Sequence, residues 1–82
     1  MEPTEIGKLA SMSSIADALK ALAASKEQVT LHLAPGQTLT GTVAKVGLQL
    51  VQLGELAPGR QFYDALVQLS AIVAIEVRAR GK

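Results

Sequence analysis

The sequence predicts a mostly β domain: an N-terminal α-helix on a small, five-stranded, strongly bent antiparallel barrel. Three observations carry that prediction. Apolar residues recur at helical spacing over residues 15–22 and switch to two-residue alternation at Val29. Turns bearing Gly and Pro then interrupt the alternation at short intervals. Gly41 stands inside the second alternating stretch, where a glycine marks a sharp bend or a close backbone approach. One helix and five short strands in 82 residues make a single domain over residues 1–82, with no room for a second.

Residues 1–12 have mixed character and are expected to fray. Ser13 or Ser14 can N-cap a helix placed at residues 13–25, with Ile15, Ala18, Leu19 and Leu22 on one stripe. Asp17 in its first turn, and Lys20 and Lys26 farther on, agree with the helix dipole. The stripe is narrow, so the helix should lie on the surface of the barrel assigned to residues 29–77. Val29-Thr-Leu-His-Leu33 reads as a half-buried strand, and Ala34-Pro35-Gly36 turns it. Thr38 to Ala44 alternates again, with Leu39, Gly41 and Val43 on one face and three threonines on the other. After Gly47, Leu48 to Leu53 reads as a third strand, and Gly54 to Gly59 as loop by composition. A fourth strand is placed at Gln61 to Leu69 and, after Ser70-Ala71, a fifth at Ile72 to Val77. Residues 78–82 form a basic tail with nothing apolar to anchor it.

Composition bounds the rest. The chain is 49% hydrophobic and 18% charged, too apolar for intrinsic disorder. Its uncharged runs are broken by Gly, Thr and Gln well short of the roughly 18 apolar residues of a membrane span. Residues 1–28 mix four acids with three lysines, unlike a secretory signal. No cysteine is present, so disulfides and thiolate metal sites are excluded. A domain this short buries only about 60% of its unfolded surface and needs a staple or a partner. With no staple and 2% aromatics, association of copies is the device expected.

At this point the residues resemble a family. Leu33-Ala-Pro-Gly36, followed by Leu39, Gly41, Val43 and, after Gly47, Leu50, is similar to the first motif of the bacterial Sm-like (LSm, Hfq-like) family. Leu19 and Leu22 fit its helix and Ala71-Ile72 its second motif. The resemblance implies a cytoplasmic ring of roughly five to seven copies, the fourth strand of one pairing with the fifth of the next. It also implies single-stranded RNA as partner: uridine-rich strands around the pore, adenine-rich strands on the other face, and an arginine patch at the rim. Several of those positions are changed. The pore-side stacking residue falls at Gln49, with Gly47 for the acid before it. The Lys-His pair falls at Leu69-Ser70, with Gln68 just before it. The rim arginines fall at Ala23-Ala24-Ser25-Lys26. On the adenine face His32 stands for a stacking tyrosine and Thr40 for a glutamine, beside the Gly36 turn.

Two readings of function follow. The first is a ring that holds single-stranded RNA weakly through His32, Gly36, Thr40, Lys45, Gln49, Gln68, Arg78 and Arg80. The second is an oligomeric scaffold or interaction ring without the RNA-binding residues. Net charge is only +1, divided as −1 over residues 1–28 and +2 over residues 29–82, but a ring multiplies each small positive feature. The tail arginines and the glutamines read equally well as solvated surface. His32 points away from the Val29-Leu31-Leu33 face and serves either a surface or inter-subunit hydrogen bond or a base stack, the stack strengthening from about pH 7.5 toward 6. One histidine makes no metal site by itself. No nucleophile grouping and no Gly-rich loop leading into a helix supports catalysis, and no cofactor is implied. Asp64 and Glu76, placed on neighbouring strands, each read as one half of an edge salt bridge with a base or as a solvated charge. Of Phe62 and Tyr63, adjacent along a strand, one is expected in the core.

Overall fold

Ser14, one of the two serines expected to cap it, starts the helix. Its Oγ accepts the Asp17 N–H at 3.1 Å, and α1 runs Ile15–Ser25. Lys26 closes it in the left-handed region (φ 59°), its N–H donating to the Leu22 carbonyl at 3.0 Å. The structure, a computed structural model, describes Ser11, residues 14–60 and residues 62–77. The expected fraying segment apart from Ser11, Ser13, Gln61 and the basic tail with Arg78 and Arg80 lie outside the described residues.

Five strands follow: β1 (Gln28–Leu33), β2 (Gln37–Val46), β3 (Leu50–Ala57), β4 (Ala65–Gln68) and β5 (Ile72–Val77). They form one antiparallel sheet in the order β4-β3-β2-β1-β5. The sheet is strongly bent but not closed: β4 and β5 are its two edges, so the expected barrel is open. The alternation read in β1 is the burial observed, with Val29, Leu31 and Leu33 inward and Thr30 and His32 outward. Those three join Leu19 and Leu22 of α1, Val43, Val51, Leu53, Leu56, Val67 and Ile72 in an entirely aliphatic core.

The bend has a steric cause. A Cβ on Gly41 would lie 2.5 Å from the Gly54 carbonyl oxygen and 3.0 Å from Leu53 Cγ, so only glycine permits this approach of β2 to β3. The register shifts at the same place. Thr40 faces Ala57 and Thr42 faces Gly54, leaving Glu55 as the extra residue with φ 52°. A second shift, at Ala44, separates the pairs Val43–Leu53 and Lys45–Gln52.

Three boundaries need correction. The stretch Gly54 to Ala57, read as loop, is the second half of β3; a Cβ on its glycine would lie 3.2 Å from the Asp64 carboxylate, and its bulge hides the alternation. The third strand starts at Leu50, because Gly47 N–H turns back to the Leu50 carbonyl at 2.7 Å and leaves Leu48 wholly exposed. The fourth strand is only Ala65–Gln68. Phe62 and Tyr63 precede it in a hairpin and both are exposed, so neither enters the core. Leu69–Ala71 then forms a short 3-10 turn before β5.

Gly41→Ala should lower the free energy of unfolding by about 1–3 kcal/mol, the range for overpacking, when urea transitions are compared at equal chain concentration. Ser14→Ala should cost about 1 kcal/mol in the same assay. A Gly41→Ala midpoint equal to the parent's would refute the close-approach explanation of the bend.

Candidate nucleic-acid interface

The outer face of β1, β2 and β5 is set by register. Thr30 faces Thr40 on one side and Glu76 on the other, while His32 faces Thr38 and Ala74. Because Val29, Leu31 and Leu33 point inward, these residues all point out. The Thr30 and Thr40 hydroxyls are 2.8 Å apart and share a hydrogen bond. His32 is 36% exposed, and its Nε2 lies 3.1 Å from Glu76 Oε1, with Glu76 69% exposed. Farther along, Thr42 donates to the Glu55 carboxylate at 3.3 Å. The result is a strip of hydroxyls with one imidazole plane, flanked by two carboxylates. The His32 side chain is thus within ion-pair distance of Glu76 and remains partly exposed.

The second group gathers at the 3-10 turn. Leu69 N–H donates to the Gln49 carbonyl, and Ala34 N–H to the Ala71 carbonyl, each at 2.9 Å. These two bonds hold the β2–β3 turn and the β1–β2 turn against the same short segment. Gln49 and Gln68 are brought into one neighbourhood this way, both exposed, with Leu48 and Ser70, while Gly36 stands exposed in the β1–β2 turn. No cation or aromatic ring belongs to these turns, so the side that the resemblance assigns to uridine offers amides, a hydroxyl and an exposed leucine.

Lys45 joins neither group. It stands exposed on the outer face opposite Gln52, whose Nε2 donates to Asp64 Oδ2 at 2.7 Å. Asp64 and Glu76, expected on neighbouring strands, belong to opposite edges of the sheet: Asp64 precedes β4 and takes the Gln52 amide, while Glu76 of β5 meets His32. Sequence reasoning missed Glu76 as the partner of His32. The only signal was a negative charge at an outward position of the last strand, and its neighbour is fixed by β1–β5 pairing. Among the described residues, Lys20, Lys26, Lys45 and Arg60 stand against Asp17, Glu27, Glu55, Asp64 and Glu76, a balance with no basic track. No group of acids and histidines there suits a metal ion.

An exposed pair such as His32–Glu76 contributes little in water. Glu76→Gln should change unfolding free energy by less than about 1 kcal/mol in urea titration, and by still less in high salt. A loss well above that value would mean that the pair is buried by something the single chain does not show.

No family model and no curated protein sequence matches the chain. Among solved structures it is similar to Hfq, described as a pleiotropic translational regulator. The TM-score is 0.64 and the identity 22%, and the match covers 78% of this chain and 89% of that one. Helix, strand order and bent sheet agree over that span, and the chain has the Sm-like fold.

Proposed function

We propose that this protein assembles into a cyclic homo-oligomer of roughly five to seven copies and holds single-stranded RNA weakly, as a binding module in the cytoplasm and not as an enzyme. Two features support assembly. The sheet has two unpaired edges, and exposed apolar side chains lie on the edge strands, with Leu66 of β4 71% and Val73 of β5 66% exposed. The described residues include no helix long and apolar enough to cross a membrane.

One observation carries the binding reading: the half-exposed His32 imidazole on the threonine strip, repeated once per copy in a ring. An aromatic plane flanked by hydroxyl donors and acceptors suits an unpaired base. Glu76 and Glu55 on the same face oppose phosphate, which is why binding is weak and favours purines, whose larger rings stack more strongly. Lys45 and the tail arginines, Arg78 and Arg80, supply the long-range attraction; Gln49 and Gln68 offer only amides. The scaffold reading draws on a different observation, the 3-10 turn group with its exposed Leu48 and no charge, which suits a protein contact better than RNA.

Light scattering should give a multiple of the chain mass at micromolar concentration, reduced by Leu66→Asp. Titrated at low salt, oligo-A should bind more tightly than oligo-U. His32→Ala should remove about 1–3 kcal/mol of that binding, the value of one stacked base. Absence of binding to both oligonucleotides would leave the scaffold, and a stable monomer would remove both readings.

A further inference from the structure

We propose that the hairpin joining β3 to β4 is a base-stacking site for single-stranded nucleic acid, built from Arg60, Phe62 and Tyr63. The chain has one Phe and one Tyr, and both are here, 98% and 61% exposed. The aliphatic core does not include them, so core packing among the described residues gives them no role.

The hairpin nevertheless has a fixed frame. Arg60 N–H donates to the Leu56 carbonyl at 3.0 Å, and Tyr63 N–H to the Arg60 carbonyl at 3.0 Å. Leu56 N–H donates to the Tyr63 carbonyl at 3.4 Å. Within that frame the Arg60 guanidinium lies over the Tyr63 ring, 5.5 Å from its centroid. No ion pair engages Arg60 among the described residues. The neighbouring acid is turned away, since the Asp64 carboxylate takes the Gln52 amide at 2.7 Å and lies against Gly54.

Non-specific single-strand sites combine aromatic planes with cations, which is the combination held here. A guanidinium stacked on one ring keeps edge N–H donors for a phosphate, and Phe62 offers its faces to a base. The hairpin's position also fits. Ala57, at the base of the hairpin, is the register partner of Thr40, so a strand crossing the His32–Thr40 face meets the hairpin next. The proposal rests on the single-stranded RNA reading and adds a second contact per copy, with the stacking ring that the 3-10 turn side lacks.

The chain has no Trp, so its intrinsic ultraviolet emission comes from Tyr63 alone. The full chain is titrated with labelled oligo-A and oligo-U, reading label anisotropy and Tyr63 emission together. The expected result is saturable quenching of Tyr63 with the anisotropy midpoint. Phe62→Ala should weaken binding about tenfold. Arg60→Ala should lower the slope of log affinity against log salt by about 0.7 for each hairpin engaged. Phe62 is too exposed for its truncation to unfold the chain, which far-ultraviolet circular dichroism verifies. Binding by anisotropy with constant Tyr63 emission and an unaffected Phe62→Ala would overturn this site and leave the RNA reading standing. No anisotropy change with either oligonucleotide would overturn both. A fall in assembly mass for Phe62→Ala would overturn the proposal by making the hairpin a contact between copies.

Discussion

Where β2 passes β3 at Gly41, the two backbones come closer than any side chain allows, and the rest of the molecule is arranged around that approach. A strand of ten residues would extend about 30 Å if straight. The longest dimension of the described residues is 27 Å. Bending at Gly41 lets β2 pair with β1 along one half and with β3 along the other, so one strand serves both walls of the core. The bulge at Glu55 absorbs the mismatch in length, and the 3-10 turn at Leu69–Ala71 ties the turns at both ends of β2 to a single segment.

That geometry sorts the polar residues into surfaces with different chemistry. The outer face of β1, β2 and β5 carries hydroxyls, His32 and two carboxylates, with charge and hydrogen bonding on one strip. The turns around Gln49 and Ser70 carry amides and exposed leucine, with no charge. The β3–β4 hairpin carries the aromatics and a cation. A single mean value such as a net charge of +1 conceals this separation.

Much of the fold was legible because local rules and tertiary demands agree in it. Ser14 with Asp17 announces the helix, and Val29, Leu31 and Leu33 announce the inward face of β1. Gly41 announces the bend, since no strand tolerates a buried glycine without a reason. The end of β3 was not legible. Gly54, Pro58 and Gly59 have the composition of a loop, while a side chain at Gly54 would crowd the Asp64 carboxylate, a constraint that exists only once the β3–β4 hairpin has formed. The start of β4 failed for the converse reason. Phe62 and Tyr63 favour strands by type, and the hairpin hydrogen bonds to Leu56 outweigh that preference. At the candidate interface, alternation placed His32 and Thr40 outward correctly. The approach of Glu76 to His32 depends on the pairing of first and last strands, which no local pattern encodes.

The two free edges of the sheet have a topological consequence. A row of copies joined β4 to β5 still has two free edges, however many copies it holds, and only closing the row removes them. Each early contact pairs two edges yet leaves the grown row with two more, while the closing contact pairs those last two within one assembly. Open rows remain competent to capture further chains, and closed ones are inert. For such a row, the rotation from one copy to the next decides between a finite cycle and an unending filament.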